Sequence, residues 1–150
     1  MAYEEAIRSI TLNADDSLAV WTGVPGAKGS PSPHYANQYR FVTLTDARSC
    51  GLATEADDPL IIGVLQSKPQ IDTQEATVAI RGISIVHTGE ALAPRDLITC
   101  DGEGRAVKAT AGQRALGVVI DSNATGEDHL VSALLWVGGG AGVVTEPDEG

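Results

Sequence analysis

The feature that most restricts how this sequence can fold is that it repeats itself. Phe41-Val42-Thr43-Leu44-Thr45-Asp46 reads like Leu97-Ile98-Thr99-Cys100-Asp101, and Leu52-Ala53-Thr54 reads like Lys108-Ala109-Thr110. Further along, Ile62-Gly63-Val64-Leu65 matches Leu116-Gly117-Val118-Val119, and Thr77-Val78-Ala79-Ile80 matches Leu130-Val131-Ser132-Ala133. The matched positions lie 56, 56, 54 and 53 residues apart, a drift that small loop deletions produce. Self-similarity at a near-constant period marks a chain built from repeated units, each unable to bury its apolar face alone. Two copies, at about 41–82 and 97–136 and repeating with a period of about 55 residues, follow one order: strand, polar turn, short strand, polar loop, Gly-Val strand, longer loop, return strand.

The apolar runs themselves are short, rich in Val and Ile, and bounded by Gly, Pro, Asp or Ser, as in Leu60 to Leu65, Ala76 to Ile80 and Leu116 to Ile120. That is strand punctuation. No 3.6-residue period is sustained, so helix finds room only in short pieces at Tyr3 to Ile10 and Glu90 to Arg95. Gly82 to His87 alternates with period two and joins the copies. The expected fold is all-β, with two modules closed as a barrel or packed as a sandwich. Ile62, Val64, Val78, Ile80, Leu116, Val118 and Val131 are expected to be mostly buried. The glycine before each valine permits a bulge or a close backbone approach.

Three regions are set apart. Residues 1–38 read as an N-terminal arm with a Pro/Gly-rich loop, because Thr22 to Gln38 holds three glycines and three prolines. Residues 39–137 form the β body. Residues 138–150 open with Gly-Gly-Gly-Ala-Gly and end acidic, so a flexible tail is expected.

Charge and chemistry narrow the function. The formal net charge is -10, from 10 basic and 20 acidic residues, which disfavours a protein that neutralises nucleic-acid phosphates. No stretch approaches the roughly 20 apolar residues of a membrane helix, and Met1 to Ile10 shows no signal-peptide pattern. Cys50 and Cys100 form no CxxC pair and read as free thiols of a reducing compartment. His34, His87 and His129 lack metal-ligand spacing, so no metal or cofactor is expected. No Walker loop, GxSxG or strand–GxGxxG–helix signature is present. Glu55, Asp57 and Asp58 precede Pro59 in a loop and read as solvated surface. Gly117-Val118-Val119-Ile120-Asp121 resembles the motif of dUTPases, trimeric β hydrolases in which the Asp activates water. The tyrosine that would follow is absent, with Ser122, Asn123, Ala124 and Thr125 in its place. The chain is expected not to be an enzyme, and a trimeric nucleotide hydrolase and a soluble ligand-binding β module stand as alternative readings.

Aromatic residues make up only 4% of the chain, yet Trp21, Tyr35, Tyr39 and Phe41 cluster in or beside the Pro/Gly segment. They read either as caps on the core or as anchors for another protein, since Tyr and Trp give large contact area at low entropic cost.

Tyr39 to Leu44, Gly63 to Pro69, Val78 to Ile83, Gly89-Glu90-Ala91, Asp96 to Thr99, Asp101 to Ala106 and Leu116 to Val119 together resemble the decoration, cement or head-fibre proteins of tailed bacteriophages. The likeness spans about Tyr39 to Leu135. Ala93-Pro94-Arg95-Asp96 departs from it where the family often has a glycine before the Asp. The resemblance implies an all-β virion protein without catalysis, made in the host cytoplasm and bound to the major capsid protein on the outer capsid surface. It also implies a homo-oligomer, possibly a trimer, that contacts neither nucleic acid nor membrane. Trp21, His34, Tyr35 and Tyr39 are the candidate capsid-binding residues.

Overall fold

Short β-branched runs cannot cover their own two faces, so each strand needs neighbours on both edges and a core on one side. The computed structural model describes residues 5–18, 37–69 and 74–136 and meets that need with nine strands in one continuous ladder. They are β1 (Glu5–Ala14), β2 (Phe41–Asp46), β3 (Ser49–Leu52), β4 (Ile61–Leu65), β5 (Glu75–His87), β6 (Leu97–Cys100), β7 (Ala106–Lys108), β8 (Gly117–Asp121) and β9 (Leu130–Leu135). Among the described residues there is no helix. The helical pieces expected at Tyr3 to Ile10 and Glu90 to Arg95 are corrected accordingly. The first lies largely in β1, where Ser9, Ile10, Thr11 and Leu12 pair with β5, and the second is turn and bridge. Tertiary pairing overrides the local pattern there.

The strand order is β1-β3-β2-β4-β5-β9-β8-β6-β7, and β1 also pairs with β5. The first five strands therefore close into a small barrel. In the other half, β9, β8, β6 and β7 extend from the C-terminal part of β5, and a parallel bridge from Thr88 to Ala106 brings β7 back to the end of β5. Gly82, at φ 103, is the joint within β5 where one half passes into the next.

The repeat is real at the level of single hydrogen bonds. Tyr39 donates its N–H to Leu65 O at 2.7 Å, and Arg95 donates to Val119 O at 2.8 Å. Ala53 N–H meets Phe41 O at 3.0 Å, and Ala109 N–H meets Leu97 O at 2.9 Å. Both Tyr39 and Arg95 have positive φ, 69 and 82, a conformation uncommon outside glycine. Gly63 and Gly117 occupy equivalent places. A Cβ on either would strike the carbonyl oxygen of the neighbouring strand, 2.1 Å from Ala79 O or 2.5 Å from Leu134 O.

Two features of the sequence reading are refined. β5 and β9 match with Val78 opposite Ala133 rather than Val131, because Val64 pairs with Ala79 while Val118 pairs with Leu134. The repeat also begins earlier than residue 41. Ala14 N–H to Gln74 O and Asp15 N–H to Cys50 O recur as Thr88 N–H to His129 O and Gly89 N–H to Ala106 O, all at 2.8 Å. So β1, inside the stretch read as an arm, is to the first copy what the second half of β5 is to the second.

The cores follow the repeat. Ala14, Leu18, Val42, Cys50, Leu65, Ala76 and Val78 fill the first barrel. Their counterparts Leu92, Ile98, Ala106, Val119, Val131 and Ala133 fill the second, with buried Thr88 at the place of Ala14. Of the residues expected to be buried, Val64, Val78, Leu116 and Val131 are; Ile62, Ile80 and Val118 are only half-buried. The tail at 138–150 lies outside the described residues.

Candidate interaction surfaces

Three places gather chemistry. The first is the root of the Pro/Gly-rich segment. In the second copy Leu92 runs straight into Ala93, whereas in the first the equivalents, Leu18 and Asn37, are separated by residues 19–36. The segment is thus an insertion at one point of the repeat. Its two ends are tied together: Asn37 Nδ2 donates to Leu18 O at 3.1 Å, and Leu18 is fully buried. Ser17 Oγ accepts the Leu52 N–H at 2.8 Å, and Asp15 Oδ1 accepts the Ser17 N–H at 2.8 Å. Buried contacts and satisfied polar groups make the root part of the barrel.

The second place is an ionic cluster at the junction of the halves. The Arg105 guanidinium meets Asp101 at 3.0 Å, Glu103 at 2.9 Å, Glu127 at 3.2 Å and Asp128 at 3.3 Å. These carboxylates hold its pKa above the ordinary value against a desolvation that works the other way. Asp128 also takes a 2.9 Å hydrogen bond from His87 Nε2, which with Arg105 lowers the pKa of its carboxyl. Burial lowers the pKa of His87, and its Nδ1 is buried with no partner. Arg40 Nη1 donates to Glu103 O, and burial works against its charge. The cluster fastens the β6–β7 turn to the loop before β9.

The third is an apolar groove of about 470 Å³ at the open end of the first barrel, lined by Ile10, Leu44, Leu60, Ile62 and Ile80 with Arg8 and Arg81 at its rim. The sequence reading missed it. The signal was there: at positions equivalent to Ile10 and Leu44 the second copy carries Ser84 and Cys100.

Of the four candidate capsid-binding residues, Trp21, His34 and Tyr35 lie outside the described residues. Tyr39 is half-buried against the core, and its carbonyl accepts the His87 N–H at 2.8 Å. Phe41, the other core-cap candidate beside Trp21, is fully buried. Cys50 and Cys100 are buried free thiols, pushed up to about 11 and about 12 chiefly by burial. Asp121, the residue of the dUTPase-like motif, ends β8, and its carboxylate accepts the Ser122 N–H at 2.8 Å. No group of three or more His, Cys, Asp or Glu able to hold a metal occurs among the described residues.

Comparison with known proteins gives a fold. No protein-family pattern and no curated protein matches the chain. Among solved structures, the chain is similar to the N base of head fibre gp8.5 of bacteriophage phi29, with a TM-score of 0.58 and 17% identity over 86% of this chain and 93% of that one. At that coverage the likeness takes in both halves of the tandem fold.

Proposed function

We propose that this protein decorates the head of a tailed bacteriophage. It binds the outer surface of the assembled major capsid protein shell and stabilises it, without catalysis. The observation that carries this reading is the fold shared with a phage head-fibre base over 86% of this chain and 93% of that one. The sequence supports it independently, through a resemblance to decoration proteins that rests on residues across both copies. The organisation of the molecule suits the task. The aromatic-bearing residues 19–36 leave the β body at a root that is hydrogen-bonded and buried, so contacts made by Trp21, His34 and Tyr35 would be transmitted to the barrel. Stabilisation follows from linkage, because a ligand that binds the shell and not its free subunits favours the shell by RT ln(1 + [L]/Kd) at every site. Stable attachment requires roughly 1,200–2,000 Å² of total contact per site.

Cosedimentation tests the reading. Purified protein mixed with empty heads of the phage that encodes it should pellet with them and saturate at a fixed ratio. Protein that stays in the supernatant at every concentration, while folded, overturns it.

A further inference from the structure

The way the two halves of the chain meet defines an interface, and each half leaves one side of that interface uncovered by the described residues. The inward row at the end of the second barrel consists of Ser84, Cys100, Leu116 and Leu135, all buried. It closes against the outer wall of the first barrel, where Ala79, Val64 and Phe41 are adjacent in register across three strands and are fully buried. With Ile61 they form one continuous core with the second barrel. Polar contacts fasten the same seam: Phe41 donates its N–H to Gly104 O at 2.7 Å, and Gln66 Nε2 reaches Ser84 Oγ at 2.9 Å.

The repeat now says which surfaces are left over. The first barrel's own mouth carries Ile10, Leu44, Ile62 and Ile80 at the positions of Ser84, Cys100, Leu116 and Leu135, and these form the apolar groove. Ile10 is 39% and Leu44 38% exposed, and Leu60, at the place of Arg114, is 53% exposed. The second barrel's own wall carries Leu134, Val118 and Leu97 at the positions of Ala79, Val64 and Phe41, with Ile83 continuing the row. Leu97 and Leu134 are each 40% exposed. These four residues together with the mouth include every large hydrophobic side chain that stands well out of the surface among the described residues. Exposed apolar patches of this kind mark interaction sites.

We propose that the occupant of each surface is a second copy of this chain: the mouth of one first barrel docks on the wall of its neighbour's second barrel, repeating between molecules the contact already made within one. The contact is heterologous, joining two different patches, so it generates a ring where the rotation closes and a filament where it does not. Its core is apolar, as it must be between chains that each carry a formal charge of -10. Arg8 and Arg81 at the rim of the mouth reduce the repulsion further. The resemblance implies a homo-oligomer; which surfaces meet rests on the internal repeat and the exposed apolar residues, and stands apart from the capsid reading.

Sedimentation velocity of the full chain tests it, with Leu44→Glu blocking the mouth and Leu134→Glu blocking the wall. Wild type should sediment above the 15.5 kDa monomer, and each variant should sediment as a monomer. An equimolar mixture of the two should form a heterodimer and nothing larger, since each retains the surface the other has lost. The milder pair Ile10→Thr and Leu97→Thr serves if circular dichroism shows that a charged variant has not folded. A wild type that stays monomeric at every concentration overturns the proposal, as does an assembly indifferent to both blocks, or a mixture that fails to pair.

Discussion

Gly63 and Gly117 are where a single atom carries most weight. Each leaves only enough room for the neighbouring strand's carbonyl, at 2.1 Å and 2.5 Å from a would-be Cβ, and backbone on both sides cannot move aside cheaply. Gly63→Ala and Gly117→Ala should each cost at least the roughly 1–3 kcal/mol typical of overpacking. Gly126→Ala, which meets nothing within 4 Å, should leave the thermal midpoint almost unchanged. Equal midpoints for all three would show that the strands do not approach as described. His87 supplies a pH-dependent counterpart. Its neutral ring donates from Nε2 to Asp128, while a second proton would sit on a buried Nδ1 with no acceptor, beside Arg40 and Arg105. Burial holds its pKa below the ordinary 6.5, so between the two values the unfolded chain binds more protons than the folded one. Stability is fully present above about 6.5 and declines as pH falls towards the depressed value. The Asp128 carboxyl, lowered from 3.8, titrates below this window. Thermal midpoints measured from pH 7.5 to 5.5 should therefore fall more steeply for wild type than for His87→Gln, and parallel slopes would contradict the assignment.

At the level of elements, the insertion at 19–36 should be separable from the barrel it leaves. The second copy makes the same turn with Leu92 joined directly to Ala93, so joining Leu18 to Asn37 copies an arrangement the fold already contains. That deletion should leave the β circular-dichroism spectrum intact and move the midpoint by only a few degrees, while abolishing attachment to phage heads if Trp21, His34 and Tyr35 make the contact. Loss of folding would show that residues 19–36 belong to the core. The repeat that predicts this was largely legible in the sequence, because Gly63-Val64 and Gly117-Val118 need the same close approach and so kept the same residues. Its first strand was not. Arg8 to Asn13 and Ile83 to His87 share only an alternation of apolar residues, and the insertion of residues 19–36 moves their spacing away from that of the other matches. The shift of two residues between β5 and β9 escaped notice for a related reason: a two-residue slip preserves which face each side chain occupies. The apolar groove was hidden because exposure cannot be read from one strand. Ile10, Leu44 and Ile80 are ordinary inward residues, and among the described residues they lack the cover that their counterparts in the second barrel have.

For the whole molecule, a closed five-strand barrel and a second β half share one long strand, β5, and the surfaces of the two halves differ. The proposed uses are two: attachment through residues 19–36, whose ends are rooted in the first barrel, and contact between copies through the mouth and wall. In the proposed decoration role the protein would act through number, since a modest stabilisation at each of many equivalent sites multiplies across a shell. The most direct measurement is the temperature at which phage heads release their DNA, compared between heads lacking this protein and the same heads after the purified protein has been added back. Added protein should raise that temperature in a saturable way, in step with the amount bound. Heads that release their DNA at the same temperature with the protein bound would contradict its stabilising role, and heads that never bind it would contradict the decoration reading altogether.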